Sequence, residues 1–340
     1  MIPQRPLDWT ATLGEPVAEL SWSPDGQWLA VGGVEGRVVV YEAATGKPVR
    51  DWQAHEGGLF RCAFAPSTGL LATSGQDGHV RLWNAASGEA DQALPLGAAW
   101  VEHLAWSSDG QWLAATAGRN LRLWQPSTGL VHEAPPAKTT WSGLAWHHSR
   151  PEIAVARFGG VDIWSATTAR CTTSLPWKTS LISVAWSPDG RWIVAGTQEL
   201  SVQIWQLPFR PESELAMSGY AAKVRQLAWH PSSRYLATGG GIEIMVWDCA
   251  GKGPEGTSPR ILTRHLGKVT ALAYQKAGHL LASGGEDGRV LLWNAGKSSD
   301  ALRQYQLGAS ITAVAWDARD TRLAIGTHTG EVALGKSVTG

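Results

Sequence analysis

His265, Ser283 and Asp287 place an imidazole, a hydroxyl and a carboxylate within one short stretch of this 340-residue chain. Those are the groups of nucleophilic acyl transfer. A hydroxyl nucleophile has to be reachable by its substrate, however, and Ser283 falls inside a run of sheet-forming residues, so the set does not read as a catalytic triad.

Other chemistry is as thinly supplied. The ten histidines invite a metal reading. His147 and His148 are adjacent, His230 occupies a matching turn, and His103 follows Glu102. None has the CxxC, HxxxH or HExxH spacing that converges four ligands on one ion. No metal or cofactor is expected. No GxGxxG follows a strand and opens a helix, no phosphate-cradling glycine loop is expected, and no G-x-S-x-G elbow occurs. Glu35, Glu199 and Glu286 lie near corresponding turns, a generic supply of carboxylates for acid–base work.

Composition narrows the classes further. Lys plus Arg equals Asp plus Glu at 29 each, so no overall field draws the chain to nucleic acid or anionic lipid. Lys and Arg are scattered without interleaved aromatics, and neither nucleic acid nor membrane is expected as a partner. Three cysteines, Cys62, Cys171 and Cys249, make a poor disulfide framework and suit a reducing, cytoplasmic setting. The N-terminal MIPQRPLDWTATL lacks the apolar core of a secretory signal, and no run reaches the roughly 18 apolar residues of a membrane span.

The elements that must position any site come from a repeat. LISVAWSPDGRWIVAG at 181–196 is stated eight times, with aromatic markers Trp22, Phe64, Trp106, Trp146, Trp186, Trp229, Tyr274 and Trp316 spaced 40 to 45 residues apart. A period of this size means a repeat architecture. In each copy VxxLAW suits a strand packed on both faces, Ser-Pro-Asp-Gly a tight turn, and QWLAVG a returning strand. A Gly-rich second turn follows, then a third strand ending on Tyr41, Trp83, Trp124, Trp164, Trp205, Trp247 or Trp293. A fourth, variable strand leads to the next copy. Four short strands cannot bury both faces alone, whereas radial stacking can.

LAWSPDGxWLAxG followed by DGxVxLW resembles the WD40 repeat over nearly the whole chain. Its Trp-Asp pair survives only at Trp247-Asp248, and Gly335 stands where the last copy should carry an aromatic. The Trp-rich, SPDG-bearing style is that of a bacterial member. The resemblance implies an all-β, closed eight-bladed β-propeller of four-stranded antiparallel blades spanning 1–340. The last copy has three strands and the N-terminus one to spare, LDWTATL, so the N-terminal strand is expected to complete the last blade.

In the WD40 family a His before the first strand, a Ser or Thr on the second, an Asp in the second turn and the third-strand Trp form a buried hydrogen-bond network. His55, Thr73, Asp77 and Trp83 match it, as do His265, Ser283, Asp287 and Trp293. The other six copies are expected to rely on apolar and aromatic packing, with Trp28, Trp112, Trp192 and Tyr235 in the core.

The resemblance also implies that the face made by the second turns and the lead-ins to the first strands grips peptides. The residues reaching it are uneven. Phe60, Trp100 and Ile182 are apolar, Glu102 is acidic, and Lys223, Arg225 and Lys268 are basic. That suits a peptide with apolar anchors and an acidic stretch. The longer connections 207–222 and 250–264 are further candidate recognition loops. The expectation is a monomeric, noncatalytic protein-interaction scaffold. A small-ligand or zinc carrier, and a propeller enzyme with channel carboxylates, are the alternatives.

Overall fold

The computed structural model describes residues 2–97, 100–211 and 214–337, and among these only strands, turns and bends occur, with no helix. Copy one shows how a repeat unit is built. Val17–Trp22, Trp28–Gly33, Arg37–Glu42 and Pro48–Gln53 pair antiparallel in that order.

The Ser-Pro-Asp-Gly turn is fastened by its own side chains. The Ser23 hydroxyl donates to Asp25 at 2.6 Å and accepts the Trp28 amide at 2.9 Å, while Asp25 accepts the Gln27 amide at 2.9 Å. Gly26 holds φ at 71°, a conformation that costs a β-carbon-free residue little. The second and third strands are buried and the fourth is mostly exposed.

Burial is completed between neighbouring copies. Ala30, Val38 and Val40 of copy one form one cluster with Leu59, Cys62, Phe64, Leu71 and Trp83 of copy two. Copies two with three, three with four, five with six, six with seven and seven with eight share cores in the same way, as stacked repeats require. Trp112 and Trp192 are buried as expected, at 5% and 2% exposure, whereas Trp28 and Tyr235 are half-buried.

The chain forms two compact units, one of Leu13–Leu181 and one of Met1–Thr12 with Ile182–Gly340. In the second, the early segment is held by the far end of the chain. Trp9–Thr12 pairs antiparallel with Glu331–Lys336, from Trp9 against Leu334 to Thr12 against Glu331. The preceding residues continue onto copy seven, where a parallel bridge joins Gln4 to Gln304 and the Arg5 amide donates to the Gln304 carbonyl at 3.0 Å.

The expectation of a closed eight-bladed propeller of four-stranded blades is corrected by the strand pairing: among the described residues there are seven blades, not eight. The strands form seven sheets, six of four strands and one of six. Copies four and five share the six-stranded sheet because two connections stay extended. Glu152–Ser165 runs as one strand assignment through Gly159 and Gly160, whose φ values of 94° and 136° favour glycine. Its middle pairs with the connection to copy five, Phe158 against Ser180 and Gly160 against Pro176. That connection is therefore part of the continuous strand Arg170–Trp186 rather than a loop.

Candidate partner-binding surface

The two expected networks are present and are structural. The Trp83 indole donates to the Thr73 hydroxyl at 2.8 Å, Thr73 lies 2.8 Å from His55 Nε2, and His55 Nδ1 lies 2.9 Å from Asp77. The Asp77 carboxylate can only accept, so the neutral His55 ring donates Nδ1–H to it and Nε2 accepts the Thr73 proton. Burial pushes the His55 pKa down and keeps the ring neutral against the pull of Asp77. For Asp77, burial raises the pKa, but hydrogen bonds from His55 and Arg81 outweigh it and hold the carboxyl low.

His265, Ser283, Asp287 and Trp293 repeat the arrangement, with both hydrogen bonds to Ser283 at 2.8 Å. Ser283 has no exposure at all, which removes it as a nucleophile for a bound substrate.

Arg81 is an unexpected member. It donates to Asp77 at 2.6 Å and to the Ala54 carbonyl at 3.2 Å, clamping the second turn to the lead-in. The imidazoles also explain two glycines, since a Cβ on Gly75 or Gly285 would meet His55 at 2.4 Å or His265 at 2.6 Å. In copy one the same place is filled by Glu15, which accepts the Glu35 and Arg37 amides at 2.7 and 3.3 Å.

The expectation that the other copies rely on packing alone needs amending. In copy six Tyr220 replaces the histidine: its hydroxyl lies 2.8 Å from Thr238 and accepts the Trp247 indole at 2.9 Å. Copy four holds Asp162 with Arg157 at 2.7 Å and Ser174 at 2.8 Å. The buried indole N–H groups of Trp164 and Trp205 have no partner among the described residues.

Two of the histidines singled out for metal binding, His147 and His230, have other work. His147 stands in the first turn in place of serine, and its Nδ1 accepts the Ser149 and Arg150 amides at 3.1 and 3.2 Å. Burial, then Arg150, pushes its pKa down to about 4. His230 does the same in copy six through Ser232 and stacks on His279 at 5.5 Å. No group of three or more His, Cys, Asp or Glu able to hold a metal occurs among the described residues.

One further string needs correcting. Gly330-Glu-Val-Ala-Leu-Gly335-Lys336-Ser337 has the GxxxxGKS spacing of a phosphate loop. Glu331–Lys336 is a strand laddered on both sides, so its amides are spent in the sheet and cannot cradle a phosphate.

The proposed face residues divide between the two units. In Leu13–Leu181, the rings of Phe60 and Trp100 touch at 5.9 Å, Trp100 is 53% exposed, and Glu102 is half-buried beside them in sequence. In the other unit Ile182 is half-buried while Lys223, Arg225 and Lys268 are exposed. Each of those cations stands at the first-strand lead-in of copy six or seven without an acidic partner among the described residues.

The structure adds apolar groups that position-by-position reading passed over. Val34 and Phe158 in one unit, and Leu200, Ile242 and Leu266 in the other, are large exposed hydrophobics, with Leu266 at 75%. All but Phe158, which lies in the strand Glu152–Ser165, are on second turns or first-strand lead-ins. The signal was available: these are turn crests where glycine, aspartate or asparagine would be ordinary.

A family model described as "WD domain, G-beta repeat" matches residues 46–84, 95–125, 169–206, 212–248 and 256–294, together more than half of the chain. The chain belongs to the WD40 repeat family. Each matched segment ends at, or one residue past, the third strand of a copy. A second family model, the WD40 domain of anaphase-promoting complex subunit 4, matches residues 8–64.

Among curated proteins, the chain is 23% identical over 287 residues to telomerase protein component 1 of Mus musculus, covering 83% of this chain and 9% of that protein. It is 23% identical to cell division cycle 20.1, cofactor of APC complex, of Arabidopsis thaliana, covering 69% and 55%. It is also 23% identical to autophagy-related protein 16 of Arabidopsis thaliana, covering 82% and 56%. The chain thus spans well under two thirds of the length of these relatives. Among solved structures, the computationally designed Ika8 protein superposes with a TM-score of 0.81 at 18% identity, over 96% of this chain and 98% of that one. That likeness concerns the fold.

Proposed function

We propose that this WD40 protein is a noncatalytic interaction platform whose second turns and first-strand lead-ins hold a partner segment. The observation carrying the reading is where exposed apolar side chains fall. Five of the eight large exposed hydrophobics among the described residues, Val34, Trp100, Leu200, Ile242 and Leu266, sit on that class of loop, while Leu130, Phe158 and Ile261 lie in strands. Exposed apolar groups collected at one class of loop mark an interaction surface, whereas scattered ones do not.

The partner is a protein segment with apolar anchors and acidic residues. Ile242 and Leu266 supply apolar contact in the unit where Lys223, Arg225 and Lys268 lack acidic partners. Arg and Trp are the types that most often dominate such interfaces. One relative is named as a cofactor of the APC complex, a role within a protein assembly that agrees with this reading.

The test is affinity capture with wild type and with a Trp100→Ala, Arg225→Glu variant, each with an unchanged melting midpoint. A specific partner retained by wild type and lost by the variant supports the face. Identical partner sets sink it.

A further inference from the structure

The first strands of copies one to three carry an ionisable group at one shared position. Glu19, Arg61 and His103 occupy the third place of Val17–Trp22, Leu59–Phe64 and the lead-in to copy three. The matching places elsewhere are Gly143, Ser183, Gln226, Ala271 and Ala313, none of them ionisable. The three side chains line a cavity of about 400 Å³ in the Leu13–Leu181 unit, whose apolar wall includes Leu104, Trp106 and Leu144. Its frame is rigid, because the Phe64 amide donates to Ser21 at 2.9 Å and the Trp106 indole to the Ala63 carbonyl at 3.0 Å.

The hydrogen-bonding capacity of the cluster is only partly used. Arg61 Nη1 donates to Glu19 Oε2 at 2.6 Å. The other guanidinium N–H groups and Glu19 Oε1 have no partner among the described residues. The His103 ring has none at all. Burial, then the nearby Arg61 charge, pushes its pKa down to about 4, so at neutral pH it offers one acceptor and one donor.

A cavity of this size lies in the range of small-molecule sites. Its fixed charges cancel, so a ligand with a net charge would leave that charge uncompensated in a partly desolvated place. A ligand carrying both signs would not. The geometry points to a binding site for a small zwitterion of the α-amino-acid type. Its carboxylate meets the free edge of Arg61, its ammonium meets Glu19 Oε1 and the His103 acceptor, and an apolar side chain lies on Leu104, Trp106 and Leu144. This site is separate from the partner-binding loops and stands or falls without them.

The test is calorimetric titration of the full chain with L-leucine and with its two half-analogues, 4-methylpentanoate and isopentylamine. Leucine is expected to bind one-to-one, at least about tenfold more tightly than either half-analogue. A Glu19→Gln, Arg61→Gln double variant removes both charges without leaving one unpaired, and is expected to lose leucine binding by at least about tenfold. Should that variant unfold, His103→Leu carries the same comparison. No heat from millimolar leucine, equal binding of a half-analogue, or unchanged affinity in a folded variant would overturn the assignment.

Discussion

Tyr305 occupies the space that a side chain at residue 335 would need: a Cβ built on Gly335 would lie 2.6 Å from its ring. The WD40 aromatic missing from the last copy is thus replaced from copy seven. Tyr305 is fully buried and its hydroxyl donates to the Lys336 carbonyl, so it has nowhere to retreat. Gly335→Ala is therefore expected to cost about 1–3 kcal/mol by overpacking, although alanine suits an extended backbone better than glycine. Denaturant melts would show it, and Tyr305→Leu should restore part of the loss when combined with it.

Asp77→Ala removes the acceptor of His55 Nδ1 and of Arg81 together. Leaving those donors unmatched is expected to cost about 1–3 kcal/mol, and Asp77→Asn less. An unchanged unfolding midpoint for the alanine variant would contradict the role assigned to this network.

Tyr220→Phe tests the variant network of copy six. The Trp247 indole loses its acceptor and Thr238 keeps only its bond to the Met245 carbonyl at 3.1 Å. The apolar volume is retained, so an expected loss of about 1–2 kcal/mol reports the hydroxyl alone.

Stability should fall as the solution is acidified from neutral pH. Burial holds the folded pKa of His55 and His265 below the usual 6.5, and those of His103 and His147 are pushed down to about 4. Below 6.5 the unfolded chain binds protons that the folded imidazoles refuse, so the stabilisation present above 6.5 is lost as pH falls towards about 4. Asp77 and Asp287, also held low, extend the same trend further into acid. Chemical denaturation across that window is the measurement, and a flat profile would contradict it.

The turns and the first three strands of each copy were readable because their determinants are local. Ser23, Asp25 and Gly26 build the turn from adjacent residues, and Thr73, Asp77 and Trp83 lie within one hairpin. What escaped depends on distant partners. The shared sheet of copies four and five needs Phe158 to meet Ser180, and nothing in either segment alone announces that pairing. Tyr220 was overlooked because it acts as a histidine would while sitting in a stretch that reads as a loop. The protruding Leu266 and Ile242 stand on crests between strands, where the strand periodicity carries no signal.

The pairing of Trp9–Thr12 with Glu331–Lys336 has a bearing on synthesis. Its two halves leave the ribosome about 320 residues apart, so Trp9–Thr12 has no ladder partner until Glu331–Lys336 has emerged. Its pairing edge therefore stays unclaimed during the synthesis of everything between them, and factors that shield such edges would be engaged from an early stage.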